Sequence, residues 1–391
     1  SAGTVMSMTK LVLKNSFRHT LRVLLTIVGI SVAVIAFGML RTVVTAWNSG
    51  VAASSPNRLV VRQAVSFIFP LPYAYKEKIA SIPGVTTVSW LNWFGGTYID
   101  KDQFFARQAC DPETIFSLYP EYKLTPSEIS AFKAERNACM VGIETAKRYG
   151  LKIGDIMNME GDIYPGSWQF TVRGIYTPRS KTDDATQMFF HWEYLNERMK
   201  QDDASRADQV GYYVVKINDP SKSAVISQKI DELFKNSPAE TKTETEGQFQ
   251  QGFVSSSGAI IGAINIMSYL IIGIILLVLC NTMIMTSRER TREYAVLKSL
   301  GFTGGHLFAF IAGEALTISF LGAGIGIALL IPIVQGFESF LPRGWFPVFI
   351  IESSTYVLAG SSALIVGVIA AIIPLYRALT MRIVDGLRFS G

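Results

Sequence analysis

Four long apolar blocks constrain this chain more than any other feature. Val23–Leu40, "VLLTIVGISVAVIAFGML", carries no charge. At about 1.5 Å per residue it is just long enough to cross about 30 Å of hydrocarbon. Block two runs Gly258–Met285 and includes "YLIIGIILLVLCNTMIM". Block three, Leu307–Val334, is interrupted only by Glu314 and a late Pro332, and block four runs from about Tyr356 to Tyr376. Runs this long exceed what a buried helix in a soluble core needs, so they predict four transmembrane helices. The 49% hydrophobic content and mean hydropathy of +0.29 reflect these blocks rather than an even spread.

Basic residues orient the spans, because lysine and arginine collect in cytoplasmic loops. Lys10, Lys14, Arg18 and Arg22 precede block one; Arg288, Arg290, Arg292 and Lys298 separate blocks two and three; Arg377, Arg382 and Arg388 follow block four. The connection between blocks three and four carries only Arg343. Both termini and the 286–306 loop are therefore expected in the cytoplasm. The opening Ser1–Lys10 has neither a hydrophobic core nor a small-residue cleavage site, reads as foreign to a native start near Met6 or Met8, and is set aside.

The partition that follows is a cytoplasmic amphipathic elbow at 8–22, a first span at 23–46 and an outward domain at 47–257. A second span at 258–285, a loop with a short helix at 286–306 and a third span at 307–334 come next. A short outward loop at 335–355, a fourth span at 356–376 and a cytoplasmic tail at 377–391 complete it. The fold class is thus an α-helical membrane protein with a large α+β domain between its first two helices. In that domain "NRLVVRQA", "VTTVSWLNWFGGTYID", "QFTVRGIYTP" and "QVGYYVVKINDP" read as strands. "PYAYKEKIASIPG", "ETAKRYG" and "SKSAVISQKIDELFKNSP" read as helices, and the alternation suggests two lobes. "TKTETEGQFQQG" reads as the return into block two, as a continuous helix.

Motifs exclude several chemistries. There is no phosphate-binding loop, no H-E-x-x-H and no C-x-x-C, and three histidines do not suit a histidine-rich metal site. No catalytic or metal-ligating constellation is visible. Cys110 and Cys139 fall in the outward domain, where a disulfide and two free buried thiols both remain open. Trp90 and Trp93 offer either core filling or an aromatic surface for an apolar cargo. Gly322 and Gly326 make a G-x-x-x-G face, serving a contact within the subunit or a dimer seam. Pro332 and Pro374 are expected to stop or kink their helices.

Two stretches point to work at the membrane surface. Leu13, Phe17 and Leu21 run beside Lys10, Lys14, Arg18 and Arg22, the pattern of a helix in the headgroup layer. It serves either as a topological anchor or as an elbow coupled to the first span. The second is Thr286–Gly301, "TSRERTREYAVLKSLG", which packs six charges into eleven positions. Val296, Leu297 and Leu300 then share a helical face, and Gly301 supplies a left-handed stop. Ion pairs along such a helix contribute only about 0.2–0.5 kcal/mol each and leave that face unburied. A short amphipathic helix of this kind wants a groove on another protein. Glu314 lies in block three, where a mid-membrane charge costs at least ~2.5 kcal/mol and so needs a partner or a function. A structural tie to the loop is one reading, and a proton or substrate path is the other.

"SRERTREYAVLKSLGF" resembles the E-R-T-R-E-I-x-x-L-K-A-L-G segment of the MacB/FtsX family of ABC-transporter permeases. "NSFRHTLRVLLTIVGISVAV", "SIPGVTTVS", "MVGIETAKRYGLKIGD", "GEALTISFLGAGIGIAL" and "IPLYRALTMRIVDGLR" extend the resemblance over nearly the whole chain. Tyr294 departs from the family's usual Ile or Val, and Ser299 from its Ala. The resemblance implies that Arg288, Glu289, Arg290, Arg292, Glu293, Tyr294, Val296, Leu297, Lys298, Leu300 and Gly301 form the element that docks into an ATPase. It also implies a multi-pass protein of the bacterial inner membrane with a periplasmic domain, no catalytic residue and no bound cofactor. ATP and Mg2+ would be held by two copies of a separate ATPase subunit, and a second permease copy would complete a homodimer. The implied work is mechanotransmission, driving efflux or extraction of a lipoprotein, peptide or hydrophobic small molecule. Membrane lipid and a membrane-fusion adaptor or other periplasmic partner are further expectations, and nucleic acid is not. Two alternatives are an FtsX-like transmitter that switches a cell-wall hydrolase and a LolC/LolE-like lipoprotein-releasing subunit.

Overall fold

The computed structural model describes residues 20–99, 104–180, 183–256, 258–340 and 349–380. Most of the expected elbow, Arg343 and the tail beyond 380 lie outside these residues. The chain divides into two units.

The first unit contains the apolar helices. They are α1 (Thr20–Ala53), α2 (Gly258–Glu289), α3 (Thr291–Ser299), α4 (Gly304–Phe340) and α5 (Ser353–Thr380). All but α3 are long and apolar enough to cross a membrane. Lipid solvates leucine as well as a neighbouring helix does, so close backbone approach and polar bonds must hold such a bundle. Both are present. A methyl group at Gly322 would sit 2.7 Å from Ile30, and one at Gly326 would sit 2.8 Å from Val34. The G-x-x-x-G face of α4 therefore packs on α1 of its own chain. Ser31 Oγ donates to the Gly322 carbonyl at 2.9 Å, and the Thr26 and Thr282 hydroxyls meet at 3.0 Å. On α5 the inward side is mostly small: Ala359, Ala363, Gly367, Ala370 and Ala378 are buried. Neither Pro332 nor Pro374 ends its helix.

The second unit, which holds residues 46–256, is built on one eleven-stranded sheet. From edge to edge the strands are Thr241–Thr245, Arg58–Gln63, Tyr212–Ile217, Val85–Trp93 and Arg107–Cys110. Met188–His191, Ala138–Gly142, Gly166–Pro178, Ile156–Gly161 and Gly96–Thr97 follow, and Tyr122–Lys123 pairs beside Gly166–Pro178. Met188–His191 runs parallel to Arg107–Cys110, and Ala138–Gly142 runs parallel to Gly166–Pro178. Alternate residues feed opposite faces: Ala109, Phe190 and Tyr213 enter one core, and Cys110, Phe189 and Val214 the other.

That alternation answers the cysteine question. Cys110 and Cys139 lie on opposite faces, with the strand Met188–His191 between theirs. Two strand spacings amount to about 10 Å, beyond the reach of a disulfide. Both thiols are free and buried, and burial pushes both well above the ordinary thiol range. Trp90 is likewise no surface for cargo. It is buried, with ring centroids 5.0 Å from Tyr73 and 5.9 Å from Trp192. Trp93 is part-exposed and stacks on Phe104 at 5.7 Å. "TKTET" is an edge strand, and the return helix starts only at Glu246.

One buried cluster joins the two segments through which this domain enters and leaves. Arg58, at the start of the strand following α1, pairs with Glu121 at 2.6 Å and with Glu246 at 2.8 Å. Its guanidinium lies 4.3 Å from the Tyr119 ring centroid and donates to the Leu118 carbonyl at 2.9 Å. Glu246 opens the helix Glu246–Ser256 and also accepts the Ser55 backbone N–H at 2.7 Å. Desolvation raises the Glu246 carboxyl, and Arg58 works against that shift. Removing one member of a buried ion pair costs about 3–5 kcal/mol. Arg58→Leu is therefore expected to lower the unfolding temperature of the purified protein in detergent by several degrees and to open the 240–256 segment to protease; an unchanged melt and cleavage pattern would contradict the clamp.

Candidate coupling site

The charged stretch folds as an elbow. Helix α2 runs on to Glu289, Arg290 leaves the helical register with φ −96° and ψ 9°, and α3 begins at Thr291. Backbone bonds still cross the junction, from the Arg290 N–H to the Thr286 carbonyl and from the Tyr294 N–H to the Arg290 carbonyl. The Thr291 hydroxyl donates back to the Arg288 carbonyl at 2.8 Å. The exit from α3 is set by a glycine. Gly301 has φ +88°, its N–H reaches the Lys298 carbonyl, and the Phe302 N–H reaches the Leu297 carbonyl. These two bonds and the left-handed residue form a Schellman stop, satisfying carbonyls that the helix end would otherwise orphan.

The elbow is anchored from inside. Arg290 Nη1 meets Glu314 Oε2 of α4 at 2.8 Å, and both side chains are 5% exposed. Glu314 lies ten residues into α4, a rise of about 15 Å. The long arginine reaches in to meet it, so the ion pair needs no water at that depth. Tyr294 is buried beside both groups; desolvation raises its phenol above the ordinary range, Glu314 adding to the shift and Arg290 working against it. Ala295 is fully buried, and Leu297 packs against the same core. Lys298 Nζ donates to the Leu379 carbonyl near the end of α5 at 2.9 Å. One short helix thus touches α4 and α5 and continues from α2.

The other side of the elbow faces outward. Val296 is 42% exposed, Leu300 70% and Phe302 38%. Arg288, Glu289, Arg292 and Ser299 are exposed with them. The face that the sequence assigned to Val296, Leu297 and Leu300 together is therefore divided. Leu297 turns partly into the bundle because Tyr294 and Ala295 already point there, and Val296 and Leu300 remain outside. Glu293 is half-buried between the two sides. Sequence reasoning did not assign Arg290 its partner and missed Arg58, Glu121 and Glu246. The one available sign for the first pair was that each is a charge next to or inside an apolar run.

Glu314→Gln keeps the shape but deprives buried Arg290 of this carboxylate, at a cost of about 3–5 kcal/mol. The expected result is a clearly lower melting temperature in detergent, with Arg290→Met/Glu314→Met recovering most of the loss. Unchanged melting with lost transport would instead identify Glu314 as part of a proton or substrate path.

Residues 265–383 match the family model described as FtsX-like permease C-terminal, and residues 23–233 match the MacB-like periplasmic core domain. An uncharacterised ABC transporter permease of Methanocaldococcus jannaschii is 23% identical over 350 residues, covering 83% of each chain. An uncharacterised ABC transporter permease protein of Mycobacterium tuberculosis is 21% identical over 262 residues. That match covers 67% of this chain and 29% of the longer relative. Among solved structures, the periplasmic region of MacB from Actinobacillus actinomycetemcomitans aligns with TM-score 0.38 and 12% identity. It covers 52% of this chain and 95% of that one. The extracellular domain of the noncanonic ABC-type transporter YknZ from Gram-positive bacteria gives 0.35 at 10% identity, covering 48% of this chain and 99% of that one.

Proposed function

The chain belongs to the MacB/FtsX-type family of ABC-transporter permeases, and we propose that α3 is the handle by which a separate ATPase subunit moves it. The carrying observation is that α3 buries Tyr294 and Ala295 against its own bundle yet presents Val296, Leu300 and Phe302 outward beside Arg288 and Arg292. A helix seated only for its own stability would not leave that apolar edge bare next to charge. In this reading the 286–306 segment and both termini face the cytoplasm, as the basic residues argue. ATP binding draws two ATPase copies together. The push enters at α3 and passes through the Arg290–Glu314 pair into α4, through Lys298 into α5, and along α2 toward the outer domain.

No catalytic group of this chain is needed. The work is a shift between two arrangements a few kcal/mol apart, which nucleotide biases through the partner. The Arg58 cluster binds the strand that follows α1 to the helix Glu246–Ser256 that precedes α2. Val65, Phe67, Ile68 and Phe69 are exposed in the loop after the strand Arg58–Gln63, which suits a hydrophobic or amphipathic cargo or an apolar periplasmic partner.

Affinity purification from native membranes tests this. The permease is expected to bring an ATPase with it, and Leu300→Asp to lose the ATPase while staying folded in the membrane. Leu300 is the better probe because Leu297 also packs on the bundle. An ATPase retained by Leu300→Asp would refute the docking face, and a cell-wall hydrolase recovered in place of cargo would redirect the outer half of the reading.

A further inference from the structure

Between the strands Arg58–Gln63 and Leu71–Pro72 the chain makes a loop without charge; residues 63–75 carry none at all. Its large side chains stand out of the sheet domain instead of packing into it. Val65 is 79% exposed, Ile68 77%, Phe69 52% and Phe67 47%. A contiguous apolar crest of this kind marks a surface that something else covers. The crest is a turn, closed by the Phe69 N–H on the Ser66 carbonyl at 3.2 Å, with Phe67 and Ile68 at its central positions. Side chains around a turn diverge, so a groove in a folded partner would cover one side and leave another wet. Liquid hydrocarbon covers every side.

Hydrocarbon sets a second condition, since each backbone N–H that enters it must bring its own acceptor. The loop meets that condition from within. The Gln63 carboxamide oxygen accepts the Val65 N–H at 2.7 Å and the Ser66 N–H at 3.0 Å. Ser66 Oγ accepts the Ile68 N–H at 3.3 Å, and the Ala64 N–H donates to the Glu240 carbonyl at 2.8 Å. Pro70 has no N–H to satisfy.

Charge on the adjoining edge is matched among the described residues. Glu244 holds both Arg62, at 2.9 Å, and Lys242, at 3.3 Å. Lys235 shares a shallow depression with Glu232 and Glu240. No basic collar stands ready for anionic headgroups, so any attraction to lipid comes from the apolar crest itself.

We propose that this loop dips into the hydrocarbon of a lipid leaflet, Phe67 and Ile68 leading, with Gln63 at the polar boundary. The contact narrows to lipid the choice of cargo or partner given above for these side chains. It rests on the reading that the sheet domain works beside a membrane, and not on the docking of α3. Because the crest is apolar and its surroundings are neutral, the contact is indifferent to salt and to headgroup charge.

Full-length Cys280→Ser protein in lipid nanodiscs tests this. Ile68→Cys carries an environment-sensitive fluorophore, and Glu197→Cys, exposed on the helix Trp192–Asp202, is the control position. Cys110 and Cys139 are buried and stay unlabelled. Doxyl-labelled phosphatidylcholine is placed either in the disc or only in added vesicles. Quenching at 68 but not at 197 is expected, at low and high salt alike. The first arm identifies the protein's own bilayer as the leaflet and the second a facing membrane, and either supports insertion. Gln63→Ala keeps the crest but strips two N–H groups of their acceptor. It is expected to lower the ratio of inserted to free loop by about tenfold, and Phe67→Ser/Phe69→Ser at least as much. A label at 68 quenched in neither arm would overturn the proposal, as would its protection by a co-purified protein in place of lipid. Quenching abolished by high salt would assign the contact to headgroup charge and overturn the apolar mechanism. An unaltered Gln63→Ala response would overturn the role given to the satisfied amides. None of these results bears on whether the ATPase is held at Leu300, so the two readings fail separately.

Discussion

A charge buried in a membrane bundle is tolerated only when its partner is fixed, and the pair Arg290–Glu314 fixes three elements at once. Arg290 is the residue at which α2 gives way to α3, so its side chain can reach α4 only if the elbow turns there. Tyr294 fills the space beside the pair, and Lys298 ties the far end of α3 to α5. Arg292 and Val296 are exposed as a consequence. With the inner face of α3 committed to the bundle, the remaining residues of a nine-residue helix have only the outside.

The sheet domain repeats that principle with different residues. Arg58 sits between Glu121 and Glu246, so the strand leaving α1 and the helix leading to α2 are bound to one another at their roots. Buried ion pairs contribute little net stability compared with well-packed apolar groups, but pulling one member away leaves a buried charge unpaired, so the segments they join are costly to separate. Under the proposed function, a motor acting on α3 needs stiffness of that kind. The small-residue contact of α4 with α1, through Gly322 and Gly326, supplies the close backbone approach between them.

Much of this was legible beforehand. Four apolar blocks gave the four long helices, and the strands around Val60, Val88, Val172 and Val214 carry the β-branched signature expected of a sheet. Gly301 was readable as a helix stop because few other residues tolerate its backbone angle. The helix Pro126–Ala134 was overlooked despite its Thr125…Glu128 capping box with proline in the first turn. What could not be read was long-range. Nothing in the spacing of Cys110 and Cys139 reveals that the strand Met188–His191 lies between theirs, and nothing near Glu314 names Arg290 over Arg288 or Arg292. The division of Val296 from Leu297 needed the position of α4 and α5, since helical periodicity alone puts the two within one broad face.

The central claim is that motion enters α4 through one buried ion pair. The most direct measurement is a double-mutant cycle on ATP hydrolysis by the ATPase reconstituted with this permease in lipid vesicles. It would use Arg290→Met, Glu314→Met and the pair together, each first shown to retain the ATPase subunit. If the pair acts as a unit, the double variant loses no more permease-dependent stimulation than either single one. If the two losses simply add, Arg290 and Glu314 work independently, and the account of the elbow is wrong.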